Sequence, residues 1–200
     1  EIAQCLVGSE MCIRDRSVQS IGAEALSNTK IKSITLPKTL KELGVYVFYG
    51  CKKLDNITMP GKIKNIERIY SECEDDYLPS AFFGGTSHSL KKVKFKTVVD
   101  FDIVGRVAQS QNFQVAANDP KYKSVDGMIY TKNGRTLVGI PYGRKKIAIS
   151  DKCTAVSTKS YWYGIETQWK WGEIIFPNTI TKVIDEWNGE FFDYGYTDDT

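Results

Sequence analysis

The chain has one histidine, and both Ser-His-Asp and Cys-His hydrolytic sites would need it as the general base. His88 lies in the polar stretch of residues 84–89, which we interpret as a loop inside a repeat. No pairing of a nucleophile with a base is apparent elsewhere in the sequence. We therefore expect that the protein is not an enzyme.

Metal and phosphate sites find equally little support. A cluster of carboxylates at Glu72, Glu74, Asp75 and Asp76 has the oxygen ligands that suit calcium, but it lacks the alternating Asp-x-Asn-x-Asp-Gly spacing of a calcium loop. A solvated loop is the favoured interpretation. The glycine pair at residues 84–85 precedes neither a Lys-Ser pair nor a helix, so it does not predict a phosphate cradle. We expect no cofactor and no metal.

Aromatic residues are densest between Tyr161 and Trp171. Trp171 aligns with a buried position of the repeat described below, and we expect it in the core. Trp162 and Trp169 leave two interpretations open. They pack against or cap the repeats, or they form an aromatic platform on which a flat ligand such as a sugar ring stacks.

Bulk composition is that of a folded globular unit. The 200 residues are 42% hydrophobic and 26% charged, with a net charge of +3. This charge is too mild for a dedicated nucleic-acid binder, and no apolar run approaches the roughly 20 residues of a membrane span. Lysines crowd residues 30–96 and carboxylates crowd residues 185–199, which we interpret as solvated faces.

Residues 1–16 resemble the in-frame translation of a transposon adapter used for sequencing libraries, above all over residues 6–15. We therefore interpret them as a non-biological segment and predict that their removal leaves thermal stability unchanged. Three cysteines remain outside this segment, namely Cys51, Cys73 and Cys153. An odd and widely spaced set argues against a disulfide framework and against a metal site.

Internal repetition dominates the remainder. Residues 31–37 read Ile-Lys-Ser-Ile-Thr-Leu-Pro, residues 54–60 read Leu-Asp-Asn-Ile-Thr-Met-Pro, and the two prolines lie about 23 positions apart, within the period of leucine-rich repeats. A third copy resumes at Leu90 after an insertion. Weaker copies open near Cys153 and at Ile180. We place the repeats at about residues 17–37, 38–60, 61–96, 150–177 and 178–200 of one domain spanning 17–200, with an irregular insert at 97–149.

The spacing predicts two elements in each repeat, a short strand with one buried face and a single helical turn. In the second repeat the strand lies at residues 54–59 and the turn lies around Phe48. Leu43, Phe48, Leu54 and Ile57 are predicted to be buried, whereas the polar neighbours Lys41, Asp55 and Thr58 are predicted to be exposed. Asn28 and Gly50 follow the helical turns as residues able to adopt a positive φ. Each repeat would bury its apolar side chains against the next.

This pattern resembles the BspA-type leucine-rich repeat of bacterial surface proteins, best over residues 18–60. The insert fits the same family, since residues 122–138 are similar to a segment that recurs between its repeats. From the residues themselves this segment predicts a hairpin with turns at Asp126-Gly127 and Asn133-Gly134. Members of this family often have cysteine at the position that Cys51 occupies here, directly after Gly50. We interpret Cys51 as a small buried thiol. Departures from the pattern lie at Glu67, at residues 72–76 and at residues 161–171.

The resemblance implies an α/β repeat solenoid, rich in β-structure, in which short parallel strands and single helical turns form a right-handed stack with a β-hairpin insert. It also implies an extracellular or cell-surface location and adhesion to a protein or glycan ligand, with a structural spacer in a larger cell-wall protein as the alternative. The expected binding face is the outward side of the sheet, extended by an acidic and an apolar residue at Glu173 and Ile175. Its principal residues are Ser33, Thr35, Asn56, Thr58, Lys91, Lys92, Lys94 and Lys96.

Overall fold

The computed structural model describes residues 10–12, 17–66, 90–107, 109–157 and 173–184. Its elements are short. In chain order they are β1 (Glu10–Cys12), β2 (Ser20–Ile21), β3 (Ser33–Thr35), β4 (Glu42–Leu43), β5 (Asn56–Met59), β6 (Asn65–Ile66), β7 (Lys92–Phe95), α1 (Phe101–Arg106), β8 (Phe113–Val115), β9 (Tyr122–Val125), β10 (Met128–Thr131), β11 (Thr136–Gly139), β12 (Lys146–Ala148), β13 (Ala155–Ser157), β14 (Glu173–Ile175) and β15 (Lys182–Ile184).

Five strands form one parallel sheet in the order β1, β3, β5, β7 and β8. The register places Ile34 beside Ile57, Ile57 beside Val93, and Val93 beside Phe113. All four side chains are buried. Stacking of equivalent apolar residues, the arrangement that the repeat spacing predicts, is therefore confirmed for these strands.

A second parallel sheet joins β2, β4 and β6, with Ile21 beside Leu43 and Leu43 beside Ile66. Each of the first repeats thus contributes two strands, of which the sequence analysis identified only the one around Ile34 or Ile57. The second strand has two residues, which is too short for an alternating pattern to reveal it. Apolar side chains from both sheets, such as Ile21 and Ile57, share one core.

The expected helical turns are hydrogen-bonded turns instead. Asn28 and Gly50 have the predicted positive φ, 57° and 68°. Glu24 and Tyr46, near the start of the same turns, also have positive φ, 56° and 53°, and this conformation cannot continue a right-handed helix. Within the described residues the only helix is α1, in the segment that separates β7 from β8.

Gly44 follows the buried Leu43 in the second repeat, as Gly22 follows the buried Ile21 in the first. A Cβ atom at this position would overlap the backbone of Gly22 and Ala23 in the preceding repeat. The Gly44 amide donates a hydrogen bond of 2.8 Å to the carbonyl of Ile21. Glycine is therefore required here by the close approach of two backbones.

Strand β1 lies inside the segment that we interpret as an adapter. Its residues Glu10 and Cys12 pair with Ser33 and Thr35 of β3, in the same register as the later repeats. The adapter interpretation of residues 1–16 stays a prediction, but their placement outside the repeat unit does not hold for β1. Backbone pairing depends little on side-chain identity, so the open edge of β3 accepts this strand. The expectation of unchanged stability on removal of the segment no longer follows.

The predicted hairpin is confirmed and has a third strand. Strand β9 pairs antiparallel with β10, and β10 pairs antiparallel with β11. Asp126 and Gly127, with φ of 45° and 71°, form the two-residue turn, as the tight right-handed twist of a hairpin requires. Gly134, with φ of 80°, allows the second turn.

The boundaries of the irregular insert, expected at residues 97–149, differ from the structure at both ends. Strand β8 continues the first parallel sheet. Strand β11 pairs parallel with β13 and β13 with β15, while β12 pairs parallel with β14. The two-strand repeat therefore resumes at Thr136. These strands are three or four residues long, and too few apolar positions alternate in them to mark a period.

The hairpin packs between two cores. Ile129 of β10 belongs to the first core, whereas its neighbours Met128 and Tyr130 belong to a second core around Leu137 and Ile147. Arg144 links the hairpin turn to the residues just before β8. Its Nε donates to the Gln111 carbonyl at 2.6 Å, and its Nη1 lies 3.1 Å from Asp126 Oδ2.

The burial predictions for the second repeat are confirmed for the apolar side and in part for the polar side. Leu43, Phe48, Leu54 and Ile57 are at most 1% exposed, and Lys41 is exposed. Asp55 and Thr58 are only half exposed. Thr58 lies between Thr35 and Lys94 of the flanking strands. Asp55 lies between Lys32 and Lys91, with backbone hydrogen bonds to both.

We predict that Ile57→Ala lowers the free energy of unfolding by roughly 2 to 5 kcal/mol, because it leaves a cavity between two stacked neighbours. Thr58→Ala, one residue further on the outward side, is the matched control and should change stability by less than about 0.5 kcal/mol. Urea denaturation of the three proteins measures both effects. Equal losses for the two variants would contradict the strand register.

Candidate binding face

The outward side of the first sheet carries two rows of polar side chains. One row runs Ser33, Asn56, Lys92, and the other runs Thr35, Thr58, Lys94, Gln114. We call these seven residues the sheet face. The rows alternate along each strand with buried apolar residues. The inward packing thus fixes the positions of the outward side chains.

Exposure increases along the sheet face. Ser33, Thr35, Asn56 and Thr58 on β3 and β5 are half-buried. The lysines of β7 and Gln114 of β8 are exposed. Neighbouring strands lie about 4.8 Å apart, so the rows form a continuous surface of hydroxyl, amide and ammonium groups.

Lys92 and Lys94 carry all the charge of the sheet face. Neither ammonium group has an ion pair or hydrogen-bond partner among the described residues. The other five residues of the face are uncharged. The face therefore presents two positive charges on adjacent outward positions of one strand, and no described residue forms an ion pair with either of them.

Lys91 and Lys96, which we expected on the binding face, lie just outside β7 and are not part of the two rows. Lys91 Nζ lies 2.8 Å from Asp55 Oδ2, so its charge is compensated by the preceding repeat. Lys91 also precedes β7 and has the parity of the buried residues Val93 and Phe95. Lys96 follows the end of β7 and is half-buried, with its amide bonded to the Met59 carbonyl. Lys91 and Lys96 stay predicted members of the binding face, and the charge of Lys91 is paired in the structure.

The outward side of the sheet formed by β12 and β14 differs in charge from the sheet face. Glu173 and Ile175 are exposed as expected, but they lie on β14, which pairs with β12 in a separate two-stranded sheet. Glu173 Oε2 lies 3.1 Å from Lys146 Nζ of β12, and both side chains are more than half exposed. Lys146 occupies the outward position that corresponds to Lys92. Here the positive charge is paired.

Several candidates lie outside the described residues. They are His88, the carboxylates of residues 72–76 and the aromatic residues Trp162, Trp169 and Trp171. The core placement of Trp171 and the two interpretations of Trp162 and Trp169 stay predictions. Among the residues that the structure describes, no three His, Cys, Asp or Glu side chains are grouped as metal ligands.

Cys51 and Cys153 are buried in the core. Cys51 Sγ donates to the Leu26 carbonyl at 3.0 Å in the preceding repeat, which confirms the prediction of a small buried thiol. Cys153 Sγ donates to the Ala155 carbonyl at 3.1 Å. Burial raises the pKa of the Cys153 thiol above its ordinary value. A buried thiol of raised pKa is a poor nucleophile, so Cys153 has a packing role.

Gln114 is a sheet-face residue that the sequence analysis missed. The signal was available, because Phe113-Gln114-Val115 alternates buried, exposed and buried. Three residues inside a segment without the repeat period are too few to identify a strand. The Arg144 contacts with residues 111–126 carried no sequence signal, since they join positions far apart in the chain.

Comparison with known families identifies the first part of the chain. Residues 8–98 match the BspA type leucine rich repeat region in 6 copies. The match confirms the resemblance found in the sequence, and it begins inside the adapter-like segment. No curated protein matches the chain.

Three solved structures are similar to the chain at low identity. A leucine-rich repeat protein from Eubacterium ventriosum is 15% identical with a TM-score of 0.43, and the match covers 88% of this chain and 49% of that one. A leucine-rich repeat protein from Bacteroides ovatus is 20% identical with a TM-score of 0.39, covering 84% and 37%. The pneumococcal vaccine antigen PcpA is 11% identical with a TM-score of 0.37, covering 86% and 51%. This chain spans about half the length of the first of them.

We predict a pH dependence of stability that arises from Cys153. The folded thiol keeps its proton at pH values where the unfolded thiol, with a pKa of about 8.5, ionises. The stabilising contribution is therefore complete below about pH 8.5 and decreases as the pH rises through the raised folded pKa. Urea denaturation from pH 7 to 10 under reducing conditions should show a shallower decline for Cys153→Ala than for the wild type. Parallel declines would contradict the raised pKa.

Proposed function

Because residues 8–98 form a BspA-type leucine-rich repeat region, we propose that the chain is a non-catalytic binding module of a bacterial surface or secreted protein, and that it holds a protein or glycan ligand on the sheet face. The repeats belong to a class of protein-interaction modules. Adhesion, an extracellular location and the right-handed solenoid path of the chain are parts of the proposal. The family resemblance supports them.

The observation that carries the proposal is the contrast between the two sides of the first sheet. Its inward side is apolar and buried, and its outward side is a polar surface that the described residues leave open. Repeat proteins use such extended surfaces for binding, because neighbouring repeats hold equivalent side chains at fixed spacing. A ligand that bridges several strands would contact residues already held in place, at a low entropic cost.

Within the described residues no helix is long and apolar enough to cross a membrane. The buried thiols Cys51 and Cys153 provide no accessible nucleophile. The apolar positions that recur in each repeat serve packing, and the outward positions serve recognition. The alternative is a spacer, in which the outward lysines serve solubility alone.

A bulky residue in the middle of the sheet face tests the proposal. We expect the wild-type chain to bind at least one component of a combined array of glycans and extracellular proteins. Thr58→Trp should weaken that binding at least about tenfold, because the indole protrudes from the central strand and blocks contact across the rows. Ser20→Trp is the matched control, since Ser20 is exposed on β2 of the other sheet.

Equal binding by Thr58→Trp and Ser20→Trp would place the ligand elsewhere and contradict the proposed face. Absence of any array component that the wild-type chain binds would favour the spacer. Circular dichroism and melting temperature show whether both variants are folded.

A further inference from the structure

The chemistry of the sheet face narrows the class of ligand. Protein interfaces concentrate aromatic residues, Met and Arg in their buried centres and are depleted in Lys and Ser. The sheet face has no aromatic side chain, no Met and no Arg among its seven residues. It therefore lacks the anchors from which a protein partner would gain most of its binding energy.

The charge of the face points to an anionic ligand. Lys92 and Lys94 are exposed and uncompensated among the described residues. Lys91 and Lys146, by contrast, are each paired with a carboxylate, Lys91 with Asp55 and Lys146 with Glu173. Among the described residues, the two lysine–carboxylate ion pairs therefore lie off the sheet face.

The spacing suits a polymer with repeated groups. Residues two apart on a strand lie about 6.6 Å apart, so the two ammonium groups can contact successive anionic groups of a chain lying along β7. The adjacent strand β5 adds the hydroxyl group of Thr58 and the amide group of Asn56. Both groups can donate hydrogen bonds to sugar hydroxyls and accept hydrogen bonds from them.

We infer that the sheet face binds an anionic polysaccharide, with Lys92 and Lys94 contacting its sulfate or carboxylate groups and the rows of β3 and β5 contacting its hydroxyls. This inference rests on the proposed function, and it names the ligand class for the same face. Recognition by exposed charges is screened by salt, so the affinity depends on ionic strength.

Dextran sulfate is the probe, with uncharged dextran as its neutral counterpart. We expect the folded chain to bind dextran sulfate with an affinity that falls between about 50 and 200 mM NaCl, and not to bind dextran. Lys92→Ser/Lys94→Ser should weaken binding roughly tenfold through the loss of two exposed charge contacts. Isothermal titration calorimetry measures the dissociation constants.

Lys38→Ser/Lys62→Ser is the matched control, because it removes the same charge from two exposed lysines that lie outside the sheet face. It should stay within about twofold of the wild type, whereas an equal loss in both double variants would show attraction by net charge alone and would overturn the inference. Tighter binding of poly-L-glutamate than of dextran sulfate, with the same dependence on Lys92 and Lys94, would assign the face to an acidic polypeptide and would also overturn it.

The two proposals fail in different ways. If Thr58→Trp abolishes binding of an array component while dextran sulfate is not bound, the sheet face is a binding site and the polysaccharide assignment is wrong. If substitutions on the sheet face change the binding of neither the array component nor dextran sulfate, the proposed function itself is contradicted.

Discussion

The inability of one repeat to bury its own apolar side chains is the constraint on which the structure depends. Ile34, Ile57, Val93 and Phe113 are buried because each lies against its equivalent in the next strand. Burial of such a side chain contributes roughly 1.5 to 3 kcal/mol, so the strands are held in one register. The same register aligns the outward residues. The sheet face is therefore a consequence of inward packing.

The two cores extend this constraint across the middle of the chain. Strand β10 is buried on both sides, with Ile129 in the first core and Tyr130 in the second. The hairpin that interrupts the repeat period thus packs against the strands before it and against the strands after it. Arg144 and the turn at Asp126-Gly127 hold it against β8. A segment that looks irregular in sequence is structurally the junction between two sets of repeats.

The sequence predicted the parts of the fold that recur with constant spacing. The strands at Ile34, Ile57 and Val93, the buried Phe48 and the positive φ at Gly50 all follow from the repeat. Strands β2, β4 and β6, with two residues each, could not be predicted, because their pairing depends on backbone hydrogen bonds supplied by neighbours. The turns at Glu24 and Tyr46 have a conformation that is unusual for these residue types. The rows of the sheet face were predictable from alternation, whereas the pairing of Lys91 with Asp55 was not, since it joins different repeats.

Coupling between neighbouring repeats is the central claim, and a double-mutant cycle measures it most directly. Ile34→Ala and Ile57→Ala alter side chains on adjacent strands, whereas Ile34→Ala and Phe113→Ala alter side chains on strands separated by β5 and β7. Unfolding free energies of the single and double variants should give a coupling energy of about 0.5 to 3 kcal/mol for the adjacent pair and below about 0.5 kcal/mol for the separated pair. Coupling energies near zero for both pairs would contradict an account in which stability resides in the contacts between stacked strands.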